Sequence, residues 1–288
     1  MEVHIVDGTY ELFRYHFAPN NSDAEVGATR GVLGSLVQMI ADGATHVGVA
    51  TDQVIESLRN DLWAGYKSSA GMPPELLAQF PLVEHALELA GFTVWPQVEY
   101  EADDGMAAAA ALAAADERVS RVLICTPDKD LGQCVGGKVV QFDRRKGEIF
   151  DAAGVERRLG VPPESIADLL ALVGDSADGF PGLAGWGAKS AATVLRRWPH
   201  LEDIPADPSA WDVPVRSAAK LSATLREQFE LAVLFRRIAT VVPEAPVSAD
   251  VDAMRWTGPA DQDAFAQLCE TIDAPTLPAR VRSLAAKA

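Results

Sequence analysis

A chain of 288 residues, 48% of them hydrophobic, is long enough to bury one large core or two smaller ones and reads as soluble and globular. Its 41 acidic residues against 25 basic ones give a net charge of −16, which taken alone points to an acidic enzyme that never meets a phosphate backbone. The longest apolar run, Met106–Ala115, is about half of the roughly 20 residues that cross a bilayer, so no membrane span is expected.

The chain opens on a strand, Val3–Val6, with no basic region before it, and no signal peptide is expected. Helices follow at Tyr10–Phe17 and Gly27–Ala41, then a strand at His46–Ala50, a helix at Pro74–Ala90 and a short strand at Phe92–Trp95. A helix over Glu101–Ala115, a strand at Arg121–Cys125 and a hairpin-like pair, Lys138–Asp143 with Glu148–Phe150, complete a βαβ order. That order predicts an α/β fold with a mostly parallel sheet and helices on both faces. From about residue 160 the pattern turns helical, with segments at Pro163–Val173, Ala188–Arg197, Val215–Ile238 and Asp261–Asp273. Cys125, Cys134 and Cys269 show no C-x-x-C spacing and are expected as free thiols in a reducing cytoplasm.

The acids are not scattered. Asp7 follows the first strand and Asp52 the second, while Glu101, Asp103 and Asp104 open the helix after the third. Asp128 and Asp130 follow the fourth strand, and Asp175 and Asp178 sit in a Gly-rich loop. Ligands of open α/β sheets bind beyond the carboxyl ends of the strands, where most of these acids fall. Singly, each has a structural explanation as a helix cap, a first-turn acid or a turn residue. Together they repel, because two unit charges 4 Å apart cost about 4 kcal/mol at an effective dielectric near 20. Nine carboxylates sharing a pocket require cations, and all-oxygen ligands favour Mg²⁺ or Mn²⁺ over zinc. The five histidines show no ligand spacing. Two such ions turn a water into hydroxide and stabilise both oxygens of a phosphodiester displacement. Substrate then binds through the metals, which softens the charge objection.

The core Gly182-x-x-Gly185-x-Gly187-x-Lys189 reads as a helix-hairpin-helix. Its glycines admit a phosphate, the next helix presents free N–H groups, and Lys189 adds charge, which implies recognition of backbone shape rather than base sequence. Between the second and third strands, Arg59–Pro74 carries aromatic, cationic, glycine and proline residues with little periodicity. It reads either as a surface loop or as a segment that clamps a single strand over the site.

These residues resemble the 5′-nuclease family, which includes the 5′-nuclease domain of bacterial DNA polymerase I, phage 5′ exonucleases and flap endonucleases. The resemblance is carried by Val6-Asp7-Gly8, Tyr66-Lys67, Tyr100-Glu101-Ala102-Asp103-Asp104, Thr126-x-Asp128-Lys129-Asp130-Leu131 and Gly174-Asp175-x-x-Asp178-x-x-Pro181-Gly182, in order from residue 3 to about 200. It implies a PIN-like core over residues 1–160, with an arch at about 60–90. The helical DNA-binding part, 161–288, would carry a helix-hairpin-helix of the H3TH type at about 164–198. It also implies 5′-flap endonuclease and 5′→3′ exonuclease activity in DNA replication and repair, by a two-metal-ion mechanism on flaps, nicks and free 5′ ends. Lys67 is the expected catalytic cation, with Tyr66, Arg14 and Arg59 as further DNA contacts. A potassium ion is implied at the backbone carbonyls of Leu172, Val173, Pro181, Leu183 and Trp186. A monomer is expected, served by a separate polymerase and ligase. Two departures stand out: Thr51 precedes Asp52 where the family has an aromatic, and Ala70 replaces an expected arch arginine. The alternatives are a PIN-type ribonuclease, disfavoured by the hairpin module, and a non-catalytic binder of branched DNA, disfavoured by the complete acid set.

Overall fold

A strand buried on both faces reads as a continuous run, and His46–Asp52 is buried at every position. The computed structural model describes residues 1–287. In chain order its elements are β1 (Glu2–Asp7), α1 (Gly8–His16), α2 (Gly27–Ala41), β2 (His46–Asp52), α3 (Leu58–Leu62), α4 (Pro74–Leu77), α5 (Gln79–Leu89), β3 (Thr93–Gln97), α6 (Ala102–Ala115) and β4 (Arg121–Cys125). Then come β5 (Val139–Asp143), β6 (Glu148–Phe150), α7 (Ala152–Leu159), α8 (Ile166–Val173), α9 (Ala188–Leu195), α10 (Ala218–Glu227), α11 (Phe229–Ala239), α12 (Gln262–Thr271) and α13 (Leu277–Ala285), with short 3-10 turns between some of them.

Two compact units share the chain. Met1–Ile55, Ser69–Thr126 and the stretch from Val242 onward build the first; Glu56–Ser68 and Pro127–Val241 build the second. In the first unit four parallel strands lie in the order β3-β2-β1-β4. Helix α6 crosses all four. Its run of alanines is mostly buried, because small side chains let a helix backbone approach a sheet closely. The expected helix 74–90 is divided at Ala78 into α4 and α5. Pro81 explains the division, since it has no N–H to offer the Leu77 carbonyl one turn back. Helix α5 buries Phe80, Val83, Ala86 and Leu87, so this part of the stretch assigned to an arch is core. The chain after Val242 returns to this unit, where Trp256 donates its backbone N–H to Thr45 O (2.9 Å) and its indole N–H to Ala90 O (3.0 Å).

The second unit holds the antiparallel hairpin β5–β6 and the helices α3 and α7–α11. The expected helix 215–238 is two helices, α10 and α11, with Gln228 (φ −117°) between them, and Leu225 and Phe235 both enter one core. Helix α8 ends at Gly174 (φ 80°), and the chain returns so closely that Leu183 N–H bonds Leu172 O at 2.9 Å. Gly182 makes this approach possible. It has φ 66°, and a Cβ there would lie 2.3 Å from Gly174 N and 2.5 Å from the Val173 carbonyl carbon. Left-handed strain adds to a clash with backbone that cannot yield. Gly182→Ala should therefore lower stability by about 2 kcal/mol or more, read from the urea midpoint. An unchanged midpoint would show that the hairpin relaxes freely.

Candidate functional site

The register of the first unit sets Asp7 beside Ala50 and Asp52 beside Gln97, which brings the carboxyl ends of β1 and β2 together. Asp7 caps α1: Oδ1 accepts the Tyr10 N–H at 2.7 Å and Oδ2 accepts the Thr126 hydroxyl at 2.8 Å. Asp52 Oδ1 accepts the Ala102 N–H at 2.7 Å, and its own N–H donates to Thr9 Oγ1 at 2.8 Å. Both acids are buried, as is Glu101 just before α6, and Asp103 stands half-buried in the first turn of that helix, where the dipole favours an anion. Asp104 differs. It is fully buried, Oδ2 accepts the Glu101 N–H (3.0 Å) and Oδ1 the Val242 N–H (2.7 Å). Asp104, expected as a metal ligand, fastens the start of α6 to the returning chain; the Glu101-x-x-Asp104 spacing is also that of a capping pair.

In the second unit Asp130, Asp175 and Asp178 bring one carboxylate oxygen each within 4.8 Å of one another. Asp128 is exposed and turns the chain, its Oδ1 accepting the Asp130 N–H at 2.9 Å. Asp175 Oδ1 accepts the N–H groups of Ala177 (2.8 Å) and Asp178 (3.4 Å). Two ammonium groups meet this acid set. Lys129 Nζ donates to Asp175 Oδ2 and lies 3.3 Å from Asp130 Oδ1, and Lys67 Nζ lies 3.2 Å from Asp178 Oδ1. Asp130 Oδ1 is nonetheless buried without a hydrogen bond. Burial first, then the charges of Asp128, Asp178 and Asp175, push the Asp130 carboxyl up to about 7 against the pull of Lys129. Burial also works against the Asp175 anion, but Lys129 and the two N–H donors outweigh it and hold that carboxyl below its usual range. Lys129 in turn, despite burial, is held above the usual lysine range by Asp130, Asp175 and Asp128. An orphaned buried carboxylate oxygen within an all-oxygen donor set fits a hard divalent cation.

The segment Glu56–Ser68 is strapped to the loop that carries these acids. Lys67 N–H donates to Asp178 O (3.0 Å), Trp63 Nε1–H to Gly179 O (3.1 Å), and the Asn60 amide to Lys67 O (3.0 Å). Trp63 stacks edge-on against Phe235, ring centroids 5.1 Å apart. Two residues expected on DNA are structural here. Tyr66 is 6% exposed and belongs to the apolar core of this unit, its ring 5.5 Å from Lys67 Nζ. Arg59 is 3% exposed and donates to Ile238 O (2.8 Å), in the last turn of α11, and to Thr240 O (3.0 Å), the residue just after it. A buried guanidinium capping a helix end cannot reach a ligand. In the first unit Arg14 pairs with Glu11 and stacks 4.2 Å over Tyr15. Thr51, in place of the expected aromatic, donates its hydroxyl at 2.7 Å to Glu84, a buried carboxyl raised chiefly by burial that the sequence did not flag.

The hairpin forms one wall of a groove. Gly185 (φ 87°), Gly187, Ala188, Lys189, Ser190 and Thr193 face Pro214, Arg216, Ser217 and Lys220 across it. No atom lies within 4 Å of a Cβ built on Gly187, so backbone is open there, although its N–H donates to Ser190 Oγ at 3.1 Å. The second wall, with Arg216 and Lys220, was not anticipated. Its only sequence signal is two cations flanking the start of α10, which the expected single helix from Val215 obscured. At the turn of α8, two of the five carbonyls expected to hold potassium already accept N–H bonds: Leu172 O from Leu183 and Leu183 O from Trp186 (3.1 Å).

Residues 2–160 match the family model of the 5′-3′ exonuclease N-terminal resolvase-like domain, and residues 161–262 that of the 5′-3′ exonuclease C-terminal SAM fold. The chain belongs to the 5′-3′ exonuclease family. A 5′-3′ exonuclease of Aquifex aeolicus is 32% identical over 208 residues, spanning 70% of this chain and 71% of that protein. DNA polymerase I of Bacillus caldotenax is 30% identical over 264 residues, covering 88% of this chain but 29% of the relative's length. The chain therefore corresponds to under a third of the polymerases it matches. Among solved structures, a T5 D15 protein co-crystallised with metal ions matches with TM-score 0.69 at 18% identity, over 94% of this chain and 99% of that one. The catalytic core of Rad2 in complex with DNA substrate matches with TM-score 0.63 at 17% identity, over 98% and 89%. At these identities the two share its fold. Among the described residues no helix is long and apolar enough to cross a membrane.

The Asp130 carboxyl gives this exonuclease-family chain a pH dependence of known sign. A folded-state value raised to about 7 supplies stability that is complete below the unfolded carboxyl range near 4 and is lost as pH rises through about 7. In EDTA, Asp130→Asn should remove that loss, making the variant more stable than the parent by roughly 2–4 kcal/mol at pH 8 and no more stable at pH 4. Parallel melting curves across pH for the two proteins would contradict the assignment.

Proposed function

We propose that the chain is a structure-specific 5′ nuclease that hydrolyses DNA phosphodiesters at 5′ flaps, nicks and free 5′ ends. The observation that carries this is the acid triad Asp130–Asp175–Asp178, with its buried, hydrogen-bond-free Asp130 Oδ1, in a chain of this family. Asp7, Asp52, Glu101 and Asp103 of the first unit, and Asp128, Asp130, Asp175 and Asp178 of the second, would hold Mg²⁺ or Mn²⁺. When bound, two such ions supply hydroxide at neutral pH and neutralise the charge on attacking and leaving oxygens.

The protein's own groups divide the remaining work. Lys67, strapped in place by Asp178 O and backed by the Tyr66 ring, offers an ammonium to the scissile phosphate. The groove between Lys189 and Lys220 takes the phosphate backbone of the duplex, with Gly185 and Gly187 allowing close approach and the N–H groups of α9 pointing at an anion. Potassium at the carbonyls of Leu172, Val173, Pro181, Leu183 and Trp186 would brace the same turn. We assign the protein to DNA replication and repair in the reducing cytoplasm, as a monomer that works alongside polymerase and ligase activities.

The test uses end-labelled 5′-flap, nicked and single-stranded DNA with Mg²⁺, Mn²⁺ or EDTA. Flap cleavage should require a divalent ion and fall about 10²- to 10³-fold in Asp175→Asn, the loss typical when one charge-stabilising group is removed. Lys189→Ala and Lys220→Ala should each weaken duplex binding alike for all sequences and reduce the salt slope by about 1. Cleavage that persists in EDTA, or lysine variants that change sequence preference, would refute the corresponding part.

A further inference from the structure

Lys129 stands between Asp128 and Asp130, and the proposed chemistry gives it no task. It is nevertheless hydrogen-bonded to Asp175 Oδ2 and ion-paired with Asp130 Oδ1 at 3.3 Å. We propose that Lys129 is a tethered counter-ion of the Asp130–Asp175–Asp178 triad: its ammonium holds the place of a divalent cation in the metal-free chain and swings out when that cation binds. The inference rests on the reading of the triad as a metal site.

Three features of the geometry support it. The contact with Asp130 Oδ1 is an ion pair without a hydrogen bond, so that oxygen, buried and otherwise unpartnered, is poorly served by an ammonium. A small hard cation approaches carboxylate oxygens at about 2.0–2.2 Å and would serve it better. The exposures are asymmetric: the Lys129 side chain is 44% exposed, against 10% for Asp130 and 6% for Asp175, so the lysine can leave for solvent while the carboxylates stay. Charge works in the same direction. With Lys67 already paired to Asp178, a divalent ion beside both ammonium groups would bring three cations together at the triad. Expelling one lysine relieves that repulsion, and Lys129, whose side chain is the more exposed of the two, is the one that leaves.

A built-in competitor has two consequences: the acids tolerate one another before metal arrives, and metal affinity is weaker than the bare triad would give. The test takes the full chain and Lys129→Met, with Mn²⁺ as the probe. Calorimetric titration at constant ionic strength should show Lys129→Met binding Mn²⁺ at least threefold more tightly, while its melting temperature in EDTA falls. Removing any nearby positive charge would also tighten binding, so a second readout isolates displacement. In the wild-type chain, acylation of Lys129 by an amine-reactive ester, quantified by peptide mass spectrometry, should speed up at least threefold when Mn²⁺ is added, with Lys189 unchanged. Should Lys129→Met not fold, the labelling of the wild-type chain decides alone. Lys129 reactivity that is unchanged or lowered by Mn²⁺ overturns the proposal while leaving the metal site standing. A wild-type chain that binds no Mn²⁺ overturns both.

Discussion

Repulsion between carboxylates is the constraint on which the second unit is organised. Asp130, Asp175 and Asp178 bring oxygens within 4.8 Å of one another in surroundings that are largely closed to water, where like charges are costly. The chain answers with two ammonium groups, with N–H donors from Ala177 and Asp178, and with a proton on Asp130 below neutral pH. Each answer is provisional, in that a divalent cation does the same work with shorter contacts and more charge. Acids held this close, with a carboxyl displaced from its usual range, mark a site built to bind or react rather than to stabilise.

The second dependence is mechanical. The acid loop Asp175–Phe180 has no regular secondary structure, and it keeps its shape because neighbours strap it down: Phe180 N–H and Asp175 O to their own loop, Lys67 N–H and the Trp63 indole to its outer carbonyls. Trp63 leans on Phe235 and Arg59 ties the same segment to the end of α11, so the position of Lys67 is transmitted from the core of the unit. A segment rich in aromatic and cationic residues thus serves as a brace, and the cation it delivers to Asp178 comes with a fixed backbone.

Much of the fold and the candidate site was legible in the sequence because it depends on local pattern. Continuous apolar runs mark the central strands, and an acid at the last residue of a strand is placed by the strand itself, as with Asp7 and Asp52. Gly182 and Gly185 were read as part of a glycine-rich hairpin, and both take positive φ there. What escaped depends on partners far away in sequence. Nothing near Arg59 says that two carbonyls 179 and 181 residues later will claim its guanidinium. Tyr66 has the same composition signal whether it stacks on a base or fills a core. Asp104 was grouped with its neighbours by proximity, although its bond to Val242 N–H spans 138 residues. Helix α7 is the instructive omission, since Asp151 caps its start and Gly160 (φ 81°) ends it; both signals were local and readable, but the helix between them is short.

The central claim is that Asp130, Asp175 and Asp178 bind a divalent cation, and crystals soaked in Mn²⁺ test it most directly. The account predicts an anomalous difference peak with Asp130 Oδ1, Asp175 and Asp178 as ligands at about 2.0–2.3 Å, absent after EDTA and absent in Asp130→Asn. A well-ordered triad with Lys129 still bridging Asp130 and Asp175, and no peak at saturating Mn²⁺, would contradict it.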